Sequence, residues 1–166
     1  MDSALLKIDR AEKHIIELDA LFRKQRPFTY VFETNVKTGQ RATFAKKNET
    51  IANDSAIIIG DVIHNLRASI DHAYWDATNA FAKSDGEKRN IQFPVAQTEK
   101  AFMDSVVPGL PSRVSDRFAQ ILISLKPYRE DGGNQALCAI HDIDIIDKHK
   151  LLIPTGNFTR ITSEII

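Results

Sequence analysis

The sequence predicts a mainly α fold: an antiparallel helical bundle carrying a small β-hairpin near residues 28–46 and ending in a segment of strand character. Three observations lead there. Apolar residues recur at three- and four-residue spacing in several runs too long for strands, two short β-branched and aromatic segments flank Gly39, and prolines stand where the helical runs stop. With 166 residues and 43% of them apolar, the chain can bury one core, so residues 1–166 are expected to form a single domain.

The first helix is "LLKIDRAEKHIIELDALFRK", where Leu5, Ile8, Ile15, Leu18 and Leu21 or Phe22 follow helical spacing until Pro27 ends the run. Its His14 is expected at the surface or half-buried, without a role. "FTYVFETN" and "RATFAKK" then bracket "VKTGQ" and predict a two-stranded hairpin. "NDS" at residues 53–55 offers N-cap side chains for a long second helix that "KSDGEK" breaks after Ala82. "IQFPV" predicts an extended pass, "TEKAFMDSV" a short helix and "PGLP" a turn, followed by a helix over "SRVSDRFAQILISLKPY" that Pro127 ends. "QALCAIHDIDIIDKHKLLI" predicts the last helix, ended by Pro154. The final "NFTRITSEII" predicts a strand, and its abrupt end points to a trimmed chain or to pairing with the hairpin.

Lysine plus arginine equals aspartate plus glutamate at 22 each, so no global field draws the chain to a polyanion. Any RNA or DNA contact has to come from a local patch. One cysteine, Cys138, makes neither an internal disulfide nor a cysteine-rich zinc site, and the charged start "MDSALLKIDRAEKH" lacks a signal peptide's apolar run. A cytoplasmic protein without a membrane span is expected, since Asp61, His64, Asp142 and Asp144 interrupt the apolar segments.

The second helix carries the clearest functional clue in "IIIGDVIHNLRASIDHAYWD". A helical wheel puts Ile59, Val62, Ile63, Leu66, Ile70, Ala73, Tyr74 and Ala77 on one face, expected to be core. Asp61, Asn65, Ser69, His72 and Asp76 form one flank; His64, Arg67 and Asp71 form the other, with Ala68 and Trp75 between them. An indole in a polar region predicts a covering surface, and a homodimer seam along this helix would supply one. Gly60 and Ala68, small residues inside a helix, predict close approach by another helix, within the chain or across the dimer.

Arg67 and His72, in "RASIDH", resemble the R-x(4–6)-H motif of the HEPN superfamily, small helical proteins that are commonly dimeric and in many members cut RNA without a metal. The resemblance implies an RNA-directed protein with no cofactor, Arg67 holding phosphate and His72 handling a proton. A guanidinium offers phosphate a fixed, permanently charged fork, and an imidazole titrates near neutrality. His64 and Asn65 would orient the phosphate, and Lys148 and His149 would add positive charge beside it. Taken together, "GDVIHNLRASIDH", "FPV", "LKPY" and "DIIDKHKLL" are also similar to a widespread bacterial set of helical proteins with an "HNLR…DH" helix and a later "IDKH" helix.

Two other readings stand beside this one. In a non-enzymatic binding or interaction protein, Asp71 pairs with Arg67 four residues away, while Asp144 or Asp147, intruding on an apolar stripe, pairs with Arg67 or Lys148 and locks the last helix to the second. In a metal-binding bundle, Asp61 with His64 and His141 with Asp144 would each supply two ligands one turn apart, although no third histidine-rich helix closes the site. No metal residue is assigned.

Overall fold

The computed structural model describes residues 2–149 and 161–163. Helix α1 (Asp2–Lys24) leads into strands β1 (Phe28–Thr34) and β2 (Arg41–Lys47), and α2 (Glu49–Thr78) returns along α1. A polar turn closes the hairpin: Asn35 accepts backbone hydrogen bonds from Lys37 and Thr38 on its side chain, and Gly39 takes φ +72°. The strands pair antiparallel with Phe28 opposite Lys47 and Thr34 opposite Arg41. The last segment does join this sheet: β3 (Ile161–Ser163) pairs antiparallel with β2, giving the order β1-β2-β3. Residues 150–160, including the expected stop at Pro154, lie outside the described residues.

Helix α2 starts earlier than its sequence predicts. Asn48 is the N-cap, its side chain accepting from the amide of Ile51, which leaves Asn53 and Ser55 inside the helix. The cap wins because β2 ends at Lys47 and the Asn48 amide already donates to the Pro27 carbonyl, fixing the corner. Beyond α2, "KSDGEK" is more than a break: Ser84 caps a one-turn helix, α3 (Asp85–Arg89). Thr98 caps α4 (Glu99–Val106), and the expected turn and helix after it become α5 (Leu110–Val114) and α6 (Asp116–Leu125), divided at Ser115, which caps α6. Lys126 ends α6 in the left-handed region at φ 49°, and α7 (Gln135–His149) follows.

The core sits around the C-terminal half of α2. Tyr74, Phe93, Phe102, Val106, Ala119, Leu122 and Tyr128 form one buried cluster, with the Tyr74 and Phe93 rings edge to face at 5.9 Å. A parallel bridge between Ala96 and Tyr128 ties the extended 91–96 pass to the segment after α6. Helix α1 runs antiparallel along α2, with Ser3 beside His72 and Lys7 beside Asn65, and buries its Ala4, Ala11 and His14; His14 hydrogen-bonds Glu17 at 3.2 Å. That corrects its expected surface or half-buried place. Helix α7 lies along the opposite side of α2, antiparallel to it, and a Cβ on Gly60 would come within 2.7 Å of the Asp147 carboxylate. The small residue at Gly60 is thus answered by α7 of the same chain.

The expected core face of α2 is buried only in part. Val62 and Tyr74 are inside, Ile59, Ile63, Leu66 and Ile70 are half-buried, and Ala73 is exposed. The polar Ser55, Asn65, Arg67, Ser69 and Thr78 are buried instead. Helices α1 and α7 cover the flanks of α2, and the apolar face between them stays partly open. Among the described residues, no helix is long and apolar enough to cross a membrane.

Candidate functional site

The "IQFPV" pass explains Arg67. A residue before proline is pushed to extended backbone, so Phe93 cannot satisfy its amide and carbonyl within a helix. Both are met from α2. Asp71 Oδ1 accepts the Phe93 amide at 2.8 Å, and Arg67 Nη2 donates to the Phe93 carbonyl at 3.1 Å. The same Nη2 lies 2.9 Å from Asp71 Oδ1, which closes a three-point lock in which the ion pair stands where a neighbouring strand would. Arg67 is 5% exposed, its fork turned inward.

His72 points elsewhere. Five residues of α-helix separate two side chains by about 140° round the axis, so Arg67 faces the 91–96 pass while His72 faces α1, its Nδ1 2.8 Å from Ser3 Oγ. The chain by itself does not bring the two together. His72 is half-buried on the wall of an open pocket of about 380 Å³ that Ser3, Asp71, Trp75, Asp76 and Ile91 also line. Trp75 remains 44% exposed there, so the described residues cover the indole only in part.

The other sequence-predicted residues divide between two helix contacts. Asn65 is buried against α1, its Oδ1 accepting from Lys7 Nζ at 3.3 Å and its Nδ2 donating to the Asp61 carbonyl at 2.7 Å. Asp144, buried on α7, lies 3.0 Å from His64 Nδ1 through Oδ1 and accepts from Lys148 Nζ at 2.6 Å through Oδ2. His64 and Lys148 each keep about half of their side chains in solvent. Asp147 packs against Gly60, and the side chain of His149 lies outside the described residues. Asp61 and His64 do not form a ligand pair with His141 and Asp144: among the described residues no three His, Cys, Asp or Glu side chains are grouped as metal ligands would be.

Sequence reasoning passed over Arg129 and Asp142. Arg129 is held by the Asp142 carboxylate, its Nε 3.0 Å from Oδ2, and donates from Nη1 to the Ala96 carbonyl at 3.1 Å. The hydrogen bond from Arg129 holds Asp142 below the usual carboxylate range. His141 lies within the fields of both Arg67 and Arg129. Burial first, then the positive fields of Arg67 and Arg129, lower its pKa, which favours the neutral imidazole. Cys138, one turn away on α7, is pushed up by burial and stays a thiol. The available signal was Pro94, since an extended pass before a proline needs donors and acceptors from elsewhere, and both Arg67 and Arg129 supply donors to it.

This arrangement clamps α2, the 91–96 pass and α7 to one another with charged hydrogen bonds, while leaving His72 and Trp75 on an open wall. No protein-family model, no curated protein and no solved structure matches the chain.

Proposed function

We propose that this chain is a helical interaction module that self-associates through an apolar face shared by α1 and α2. The carrying observation is α1 itself, which leaves Leu5, Leu6, Ile8, Ile15, Ile16 and Phe22 exposed while burying the small Ala4 and Ala11. Ile8, Ile15 and Phe22 recur every seven residues and so line one side of the helix. Glu17, Leu21 and Lys24 share a cleft with Asp54, Ile57 and Ile58 on one side of the helix pair. The opposite side therefore joins Ile8, Ile15 and Phe22 to Ile59, Ile63 and Leu66. A 23-residue helix is about 35 Å long, and two axes 8–10 Å apart present a face of roughly 700 Å², near the ~800 Å² per partner of a standard interface. At tens of micromolar the protein is expected to sediment as a dimer, and Ile15→Asp as a folded monomer. A monomeric wild type would overturn the proposal.

A second reading, the RNA-directed and metal-independent endoribonuclease implied by the HEPN resemblance, is favoured by His72 on its open pocket wall beside Asp71. It requires Arg67 to exchange Asp71 for a phosphate, in a pocket that already carries the carboxylates of Asp71 and Asp76. In this reading, single-turnover cleavage of a mixed RNA pool survives chelator, leaves 2′,3′-cyclic phosphate ends and drops by about 10²–10⁴-fold in His72→Ala. Equal activity in wild type and variant would end it.

A further inference from the structure

The chain is neutral overall, but its charge is unevenly placed. The segment from residue 23 to 47 carries seven basic residues and one acidic residue, Glu33, which leaves 15 basic and 21 acidic residues for the rest. The hairpin and its feet therefore hold a surplus of six positive charges on a neutral protein. Arg23 pairs with Asp19 in a solvent-exposed ion pair, and Lys47, its side chain 25% exposed, pairs with the exposed Glu49 at 3.0 Å, a contact that a phosphate would have to replace. The other five, Lys24, Arg26, Lys37, Arg41 and Lys46, make no ion pair among the described residues.

Aromatic rings stand within this field. Side chains two apart on a strand share a face, so Phe28, Tyr30 and Phe32 line one face of β1, with Lys47, Ala45 and Thr43 opposite them and Arg41 opposite Thr34 at the far end. Tyr30 is 67% exposed and Phe32 78%. Two residues of strand put the rings roughly 6.8 Å apart along the chain, with the small Ala45 and Thr43 beside them and a cation at each end. Flat, exposed rings framed by Lys and Arg are what unpaired bases stack on, the cations tracking the phosphates.

We infer that this face of the hairpin binds single-stranded nucleic acid, two successive bases stacking on Tyr30 and Phe32 while Arg41 and Lys47 hold the flanking phosphates. Duplex fits poorly, since its bases are stacked already and leave no free faces for the rings. An anionic membrane fits less well too, because the hairpin's tip, residues 35–40, is polar apart from Val36 and the rings lie in mid-strand. The inference uses no residue of α2 or α7 and rests on neither functional reading above.

The test is fluorescence anisotropy on the full chain with labelled 12-nucleotide RNA, DNA of the same sequence and the matching duplex across a salt series, beside co-sedimentation with phosphatidylserine vesicles. Single strands are expected to bind at least tenfold tighter than duplex. Tyr30→Ala and Phe32→Ala should each lose about tenfold with an unchanged thermal melt, while Tyr30→Phe retains binding. Arg41→Ala should flatten the dependence of log affinity on log salt by about 0.7. The ratio of RNA to DNA affinity identifies the strand chemistry. His72→Ala and Ile15→Asp should bind like wild type, which separates this site from both functional readings. Unchanged binding in Tyr30→Ala and Phe32→Ala, duplex bound as tightly as single strands, or vesicles bound in place of oligonucleotides would overturn the inference.

Discussion

Asp71→Ala is expected to destabilise the fold by about 3–5 kcal/mol, the range for removing one partner of a buried ion pair. The cost comes from what is left behind. Arg67 is 5% exposed and would keep its full charge with only the Phe93 carbonyl to meet it, while the Phe93 amide would lose its acceptor. Asp144→Ala makes the contrast. Asp144 is more deeply buried than Asp71, but its partners His64 and Lys148 are half-exposed and can return to water, so about 1 kcal/mol is expected. Urea denaturation of the two variants at pH 7 checks the order. If Asp144→Ala cost as much as Asp71→Ala, the exposure of the surviving charge would not be what sets the magnitude.

The second large effect is expected at Phe102, whose replacement by alanine should cost about 3–5 kcal/mol through lost burial and the cavity that remains. Phe102 is 1% exposed on α4 and packs in the cluster with Tyr74, Leu122 and Tyr128, its ring 6.3 Å from that of Tyr128. Rigid neighbours on α2 and α6 limit collapse around the void. Ile16→Ala on α1, at a position 68% exposed, should stay within about 0.5 kcal/mol as a monomer. Thermal melts of the two variants below the dimerisation range provide the comparison. Equal losses would mean that the α1 end carries as much of the core as the 93–128 cluster.

Much of the fold was legible in local patterns. Helical periodicity marked α1, α2, α6 and α7, and the alternation around Gly39 marked β1 and β2. Boundaries were less legible wherever several cap residues competed. Asn48, Asn53 and Ser55 are all good N-caps, and only the corner made by β2 and Pro27 selects Asn48. Ser115 is a cap that periodicity ran through, because apolar spacing continues on both sides of it.

At the candidate site, four-residue spacing was enough to put Arg67 beside Asp71, since adjacency within one helix follows from 3.6 residues per turn. Five-residue spacing likewise set Arg67 and His72 on different sides of α2. The sequence by itself therefore determined the helices, the hairpin, and which side chains share a face within one element, while the register of β1 on β2 set Arg41 and Lys47 on the face of Tyr30 and Phe32. Only the tertiary structure decided that Arg67 turns inward to Phe93, that Asp144 meets His64 across α2 and α7, and that Ile15 and Tyr30 remain in solvent. Those outcomes depend on which elements pack together, and packing joins residues 26 to 80 positions apart whose separation leaves no periodic trace in the chain.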